Sequence, residues 1–456
     1  MPRRTTIASS DASSNRGCAR QSDYSRHMTA RVLTACLILA LAVPAARAQT
    51  PQPTYVQFDP FTVKGALYRP DPSRERDTAV LLIHRVNNYL NHLAGWELAN
   101  RGFMVLAMNS RFDNNEASVI WEVIAQDVRT GVEYLRKQRG IRKVILFGHS
   151  GGAATRSFYQ AVAEQGPAYC TDPQRLTRCG TELSNLPKAD GLILADASLG
   201  NPIGLLRGLN PAVKTEGDPG SIDPALDPFN PSNGFNPTGS TYSDEFKKKY
   251  YAAQSARMNR LIGMAIDQAI KLGTPAAPFP DDNVFLIVRA AGARLIDNAE
   301  PTATIEPRKH LKHNGSVVTE IVKSSRPPST AAPQQNATFN GGARLLTLRS
   351  FLTANAIKST NSMTGIDWCS SNSSTPCAVG KITVPLLVAA MGGNTGIRDN
   401  EMLYDMAATK DKDFIVVEGA THNIGPCTDC ETRKGEYGNV TKNFFNYVAK
   451  WITSRF

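Results

Sequence analysis

From Thr54 onward the apolar positions follow two alternating rhythms. Short, almost wholly apolar runs occur at 79–83, 103–108, 143–147 (opened by Lys143) and 191–195, each bounded by polar or turn-forming residues. A strand buried on both faces reads this way, because neither of its alternating sides meets water. Longer segments with a period near 3.6 lie between these runs. Over 117–138 the apolar residues Val119, Ile120, Val123, Ile124, Val128, Val132 and Leu135 fall on one stripe, which predicts an amphipathic helix. Helices are also predicted over 91–101 and 153–164. Two short strands, 55–58 and 61–68, open the pattern, with a turn at Asp59-Pro60 between them.

After residue 200 the rhythm breaks. Residues 200–380 are rich in Pro, Asn, Gly and Ser. The spacing there predicts a helix over 243–272, a hairpin near 284–295, a loop over 327–340 and a helix over 344–357. The strand–helix rhythm then resumes: strand 384–390, helix 400–408, strand 414–417 and a last helix over 439–453. Alternating strands and helices build a mostly parallel, twisted sheet with helices on both faces. The fold class is therefore α/β, with a core in two parts, 49–199 and 381–456. Residues 200–380 are expected to form an inserted cap or lid.

The first 48 residues follow neither rhythm. A positive flank ending at Arg31, an apolar run over 32–43 and the small residues of Ala46-Arg47-Ala48 describe a secretory signal peptide cleaved near Ala48. Met28 is then a natural start. The apolar run is too short to span a bilayer, which takes about 20 residues. Leu33-Thr-Ala-Cys36 has the look of a lipoprotein box, but its cysteine falls early in the apolar run instead of ending it. The expected destination is the periplasm or the medium. Losing 1–48 removes seven arginines and two aspartates, so the net charge falls from +11 to +6. The remaining charges are scattered, with no basic stripe interleaved with aromatics, which argues against a nucleic-acid partner.

Six cysteines remain beyond the leader, in three close pairs: Cys170/Cys179, Cys369/Cys377 and Cys427/Cys430. An oxidising compartment favours disulfides, and three local bridges are the simplest arrangement. Cys427-Thr-Asp-Cys430 also has the spacing of a redox motif or half a zinc site. No second such pair accompanies it, so a loop staple is expected.

Gly148-His149-Ser150-Gly151-Gly152 matches G-x-S-x-G directly after an apolar strand and before a helix. That context supplies a nucleophile on a tight turn above a sheet, with the N–H of Gly151 able to face a developing oxyanion. A serine hydroxyl needs a base, and His422 follows the last predicted strand. His310 and His313 have the spacing of a metal pair, but no third ligand is near, and a solvated basic loop is expected there.

At this point the chain resembles the α/β-hydrolase superfamily, in the manner of a secreted esterase or lipase. The resemblance rests on strand–His84, strand–Asn109, strand–GHSGG, strand–Asp196, an insertion, and strand–His422, and covers nearly all of 49–456 outside the insertion. It implies an oxyanion hole from the N–H of Gly151 and that of Arg85 or Val86, where relatives often carry His-Gly. It implies Asp where this chain has Asn109, a loop position. It also implies an acid after the penultimate strand, where this chain has Asn394. Asp196 is the favoured acid, with Asp399 and Glu401 as alternatives. Asp399 has a rival reading as a helix cap and Glu401 as a first-turn charge.

The activity implied is carboxylic-ester hydrolysis through an acyl-enzyme, with a small-molecule or polymeric ester as substrate and no metal or organic cofactor. Alternatives are an amidase or peptidase using the same residues, and a binding protein that keeps the fold without catalysis.

Overall fold

The structure, a computed structural model, describes residues 51–290, 302–326 and 342–456. The expected leader, its cleavage site near Ala48 and the loop over 327–340 lie outside the described residues.

The central sheet is built from β1 (Thr54–Gln57), β2 (Lys64–Tyr68), β3 (Thr78–His84), β4 (Met104–Asn109), β5 (Lys143–His149) and β6 (Gly191–Ala195). Within the insertion come β7 (Val284–Ile287), β8 (Arg308–Leu311), β9 (Val317–Glu320), β10 (Arg344–Thr347), β11 (Ser359–Asn361) and β12 (Gly365–Ile366). The sheet is completed by β13 (Leu386–Met391) and β14 (Lys412–Val417). Its order is β1-β2-β4-β3-β5-β6-β13-β14-β8-β9. From β4 through β8 every neighbouring pair is parallel, and the outer strands β1, β2 and β9 join antiparallel.

The continuous apolar runs are explained by cover on both sides. Side chains alternate across a strand. Leu81, Ile83, Leu146, Leu192, Leu194 and Val388 therefore meet one core, with α2 (Trp121–Arg136), α3 (Gly152–Gln165), α7 (Thr375–Val379) and α8 (Ile397–Met406). Val80, Leu82, Ile145, Phe147, Ile193 and Ala389 meet the other, with α1 (Leu93–Ala99) and α9 (Val440–Thr453). Each such fully buried leucine or phenylalanine contributes about 1.5–3 kcal/mol of apolar burial. One parallel strand after another thus ends at the same edge, and the loops there carry Arg85, Ser150, Asp196 and His422.

The insertion is organised differently. It contributes α4 (Asn201–Gly208), the long α5 (Asp244–Ala269), and α6 (Leu348–Ser350), which runs into a wider π-helical turn over Phe351–Asn355. Buried polar side chains pin it. Arg257, fully buried on α5, binds Glu216 through two nitrogens (2.8 and 2.7 Å) and the carbonyls of Asn210 and Val288 (2.8 and 2.7 Å). Gln254, one turn earlier, donates to the carbonyls of Arg207 and Leu209 (both 3.0 Å).

Four expectations differ from what is found within 200–380. Residues 308–320 are not cap: β8 and β9 extend the core sheet beyond β14. His310 is accordingly a buried strand residue bonded to Glu320 (2.6 Å), and His313 binds Glu418 (2.6 Å), so this stretch is not a solvated loop. β7 does not close a local hairpin but pairs antiparallel with β10, and residues 344–347 are strand instead of helix. Short apolar runs suit either state, and a partner distant in sequence decides between them.

Among the described residues no helix is long and apolar enough to cross a membrane. The cysteines bond locally, as Cys170–Cys179, Cys369–Cys377 and Cys427–Cys430.

Candidate active site

β5 delivers Ser150 into a turn where its φ is +56°, and α3 begins two residues later. A non-glycine residue in this region costs on the order of 1 kcal/mol, so the turn must be held from outside. Three bonds do so: Ser150 N–H to the Ala195 carbonyl (3.2 Å), and the N–H groups of Ala153 and Ser198 to the Ser150 carbonyl (both 3.1 Å). Neighbouring chain comes so close that side chains are excluded on either side. A Cβ on Gly148 would lie 2.7 Å from Cα of Ala153, and one on Gly152 would lie 2.9 Å from the Ile83 carbonyl.

His422 is carried by the loop after β14. Its Nε2 lies 2.9 Å from Ser150 Oγ, and its Nδ1 lies 2.6 Å from Oδ2 of Asp196. The loop is braced by bonds from Gly393 N–H to the Ala420 carbonyl (2.7 Å) and from Cys427 N–H to the Gly419 carbonyl (2.8 Å). Asp196 follows β6 directly, again at positive φ (+42°), with its carboxylate only 1% exposed. Asn394, where the resemblance implied an acid, donates its amide to the same Oδ2 (2.5 Å). The hydrogen bond to Asp196 stabilises the imidazolium and raises His422 above the ordinary histidine value of 6.5, with burial opposing.

The two other acids are occupied elsewhere. Asp399 pairs with Arg207 (3.2 Å). Glu401 is buried and receives Arg308 Nε (2.8 Å) and the N–H groups of Ile305 and Glu306 (2.7 and 3.2 Å).

Gly151 stands at the N-terminus of α3, where the unpaired N–H groups and the helix dipole favour negative charge. Of the two other N–H groups expected to share this role, that of Val86 turns onto His84 Nδ1 (3.2 Å), as does that of Asn87 (2.8 Å). Among the described residues the N–H of Arg85 has no such partner. Burial above all, and then the nearby guanidinium charges of Arg85 and Arg156, hold His84 well below the ordinary histidine value.

Sequence reasoning missed a row of histidines behind His422. The N–H of Ala94 donates to His92 Nδ1 (3.2 Å), which leaves the His92 proton on Nε2, 3.0 Å from His149 Nδ1. The His149 proton is thereby assigned to Nε2, which donates to the backbone carbonyl of His422 (2.7 Å). Burial lowers His149 to about 4, so it is neutral near pH 7. Asn109 ties the two loops beside this row together, accepting from Tyr89 N–H (2.7 Å) and donating to Asp113 (2.8 Å), a structural job as its position suggested. The pattern offered no signal for the row, because ring tautomers depend on neighbours far along the chain.

Ser150 and His422 open into a cavity of about 530 Å³, walled on the insertion side by Ile203, Arg207, Tyr251 and Met363. No family model matches the chain, and no curated protein matches it in sequence. Solved structures similar to it include a siderophore hydrolase from Aspergillus fumigatus, 10% identical with a TM-score of 0.40, covering 90% of this chain and 98% of that one. A carboxyl esterase from Bacillus coagulans in complex with glycerol is 12% identical with a TM-score of 0.37, covering 89% and 99%. Est1E from Butyrivibrio proteoclasticus is 9% identical with a TM-score of 0.36, covering 88% and 99%. On its own strand order and turn geometry, the architecture is the α/β-hydrolase fold that the sequence resembled.

Proposed function

We propose that this protein is an exported serine hydrolase that cleaves carboxylic esters through an acyl-enzyme. The observation that carries this reading is the unbroken series Ser150–His422–Asp196, at 2.9 and 2.6 Å, at the mouth of a cavity.

In this reading Ser150 Oγ attacks the ester carbonyl while His422 Nε2 takes its proton. Asp196 holds the His422 proton on Nδ1, which turns Nε2 toward the serine and stabilises the imidazolium that forms. The N–H groups of Gly151 and Arg85 receive the oxyanion, each worth roughly 10²–10³ in rate. His422 then gives its proton to the departing alcohol. A water, deprotonated by the same nitrogen, releases the acid from Ser150. The route needs no metal or organic cofactor. Export is supported by the leader pattern over 1–48 and by three cysteine pairs at bonding distance.

The test is hydrolysis of p-nitrophenyl esters over a range of acyl lengths, by the wild type and by Ser150→Ala. Turnover by the wild type that is lost in Ser150→Ala is expected. Turnover that survives the substitution would contradict the reading.

A further inference from the structure

The nucleophile borders a second, smaller cavity of about 210 Å³, lined by Ser150, Gly151, Arg85, Glu116, Arg344 and Asn355 among others. His422 lines the larger cavity and not this one. On the serine-hydrolase reading, which this inference rests on, the leaving alcohol must lie where His422 can protonate it. The larger cavity therefore takes the alcohol, and the smaller one the acyl group.

The smaller cavity concentrates hydrogen-bond donors. Arg85 uses one edge of its guanidinium, Nε and Nη2, to bind Glu116 (3.3 and 2.8 Å), which fixes its orientation. The carbonyl of Arg85 is held by the hydroxyl of Ser110. The remaining nitrogen, Nη1, lies over Gly151, where an added Cβ would collide with it. Among the described residues its one neighbour at bonding distance is His84 Nε2 (3.4 Å). That nitrogen cannot accept. His84 Nδ1 already receives two backbone N–H groups, so the proton of this neutral, buried ring sits on Nε2. Nε2 of His84 would itself lie 2.7 Å from a Cβ on Gly151.

Two side-chain donors thus converge beside the positive end of α3, with no acceptor between them among the described residues. A buried donor left without an acceptor costs about 1–3 kcal/mol, more when it is charged, so the arrangement is stabilised by an anion. Arg344 adds a second guanidinium to the same cavity, against the single carboxylate of Glu116.

We propose that the acyl half of the substrate carries a carboxylate, seated against Arg85 Nη1 and His84 Nε2–H. The natural ester is then a half-ester of a short dicarboxylic acid, whose carboxylate reaches these donors from the scissile carbonyl within a cavity of about 210 Å³. Arg85 is the residue that selects it. The long aliphatic acyl group of a lipid would leave these donors unpaired.

The test compares monoethyl succinate with ethyl butyrate, whose acyl groups differ in the terminal carboxylate, by pH-stat. The wild type should show a kcat/KM about tenfold to a hundredfold higher for monoethyl succinate, the worth of one hydrogen bond to a charged group. In Arg85→Met that ratio should fall to near one, and Arg85→Lys should retain part of it. Arg344→Gln, a change at an exposed side chain, should lower the ratio by about threefold. A wild type without the preference, or a preference that survives Arg85→Met, overturns the inference. So does an Arg85→Met variant that slows both esters equally, since Arg85 would then serve the oxyanion. Labelling with a fluorophosphonate separates the two levels of failure. A labelled Ser150 without the preference defeats this inference alone, whereas an unlabelled wild type defeats the serine-hydrolase reading with it.

Discussion

The sheet and the insertion are held together by opposite means. In the sheet, Leu81, Leu146, Leu192 and Val388 are fully buried among apolar neighbours, and hydrogen bonds run along the backbone ladder. In the insertion, the long α5 is fastened by Arg257 and Gln254, buried polar groups reaching the carbonyls of distant loops. Apolar packing is non-directional and tolerates small shifts. A buried guanidinium works only if every acceptor stays in place. The lesson concerns where chemistry can sit. Ser150, Asp196 and His422 all come from loops at the ends of sheet strands, which hold them to fixed distances. The insertion supplies walls of the cavity, such as Arg207 and Tyr251.

The largest test of this contrast is on the sheet side. Asp196→Asn keeps the shape but lets the wrong His422 tautomer form, so kcat should fall by about 10⁴. Asp399→Asn, on an acid that faces Arg207, should change kcat by less than about threefold. Equal losses from the two would break the assignment of the acid to the sheet. On the insertion side, Arg257→Met leaves the buried Glu216 with only the half-exposed Arg260 (3.0 Å) as partner and takes the donor from the carbonyls of Asn210 and Val288, and should cost about 3 kcal/mol in denaturant unfolding. Adding Glu216→Leu should recover only part of that, because the carbonyls of Asn210 and Val288 stay without their donor. Leu146→Ala, in the sheet, should lose about 2–5 kcal/mol with no partner change that restores it. An Arg257→Met loss below about 1 kcal/mol would mean the insertion is not held by its polar contacts.

Two smaller effects sharpen the picture. His149→Phe removes the donor to the His422 carbonyl and should lower kcat by about tenfold with little change in KM. His422 must be neutral to act as base, and its bond to Asp196 raises it above 6.5. The rate should therefore climb with pH through a midpoint above 6.5, and in Asp196→Asn the residual activity should have its midpoint at lower pH. The sign for stability is the reverse. A histidine raised on folding contributes stability in full below its unfolded value, and that contribution is lost as pH rises through the folded one. The pair therefore stabilises the fold least where the enzyme is most active.

The same contrast explains what could be read from the sequence. The strands β3 to β6, β13 and β14 were legible because burial on both faces writes itself as an apolar run. Ser150 and His422 stood out because chain order and turn chemistry are local. Strands β8, β9 and β10 were not legible: β9 is exposed along its length, and β10 pairs with a strand more than fifty residues away in sequence. Asp196 was the favoured acid, but Asp399 and Glu401 also fitted the pattern. What separates them is their neighbours in space, His422 for the first, Arg207 for the second and Arg308 for the third. The histidine row and the donors around Gly151 likewise exist only once loops from β3, β5 and β14 meet.

The central claim is that Ser150 is an activated nucleophile. Its most direct test is to treat the folded protein with a fluorophosphonate and locate the adduct by peptide mass spectrometry. The account predicts one adduct, on the peptide holding Ser150, absent after heat denaturation and slowed strongly in His422→Ala. No adduct, or an adduct on another residue, would contradict it.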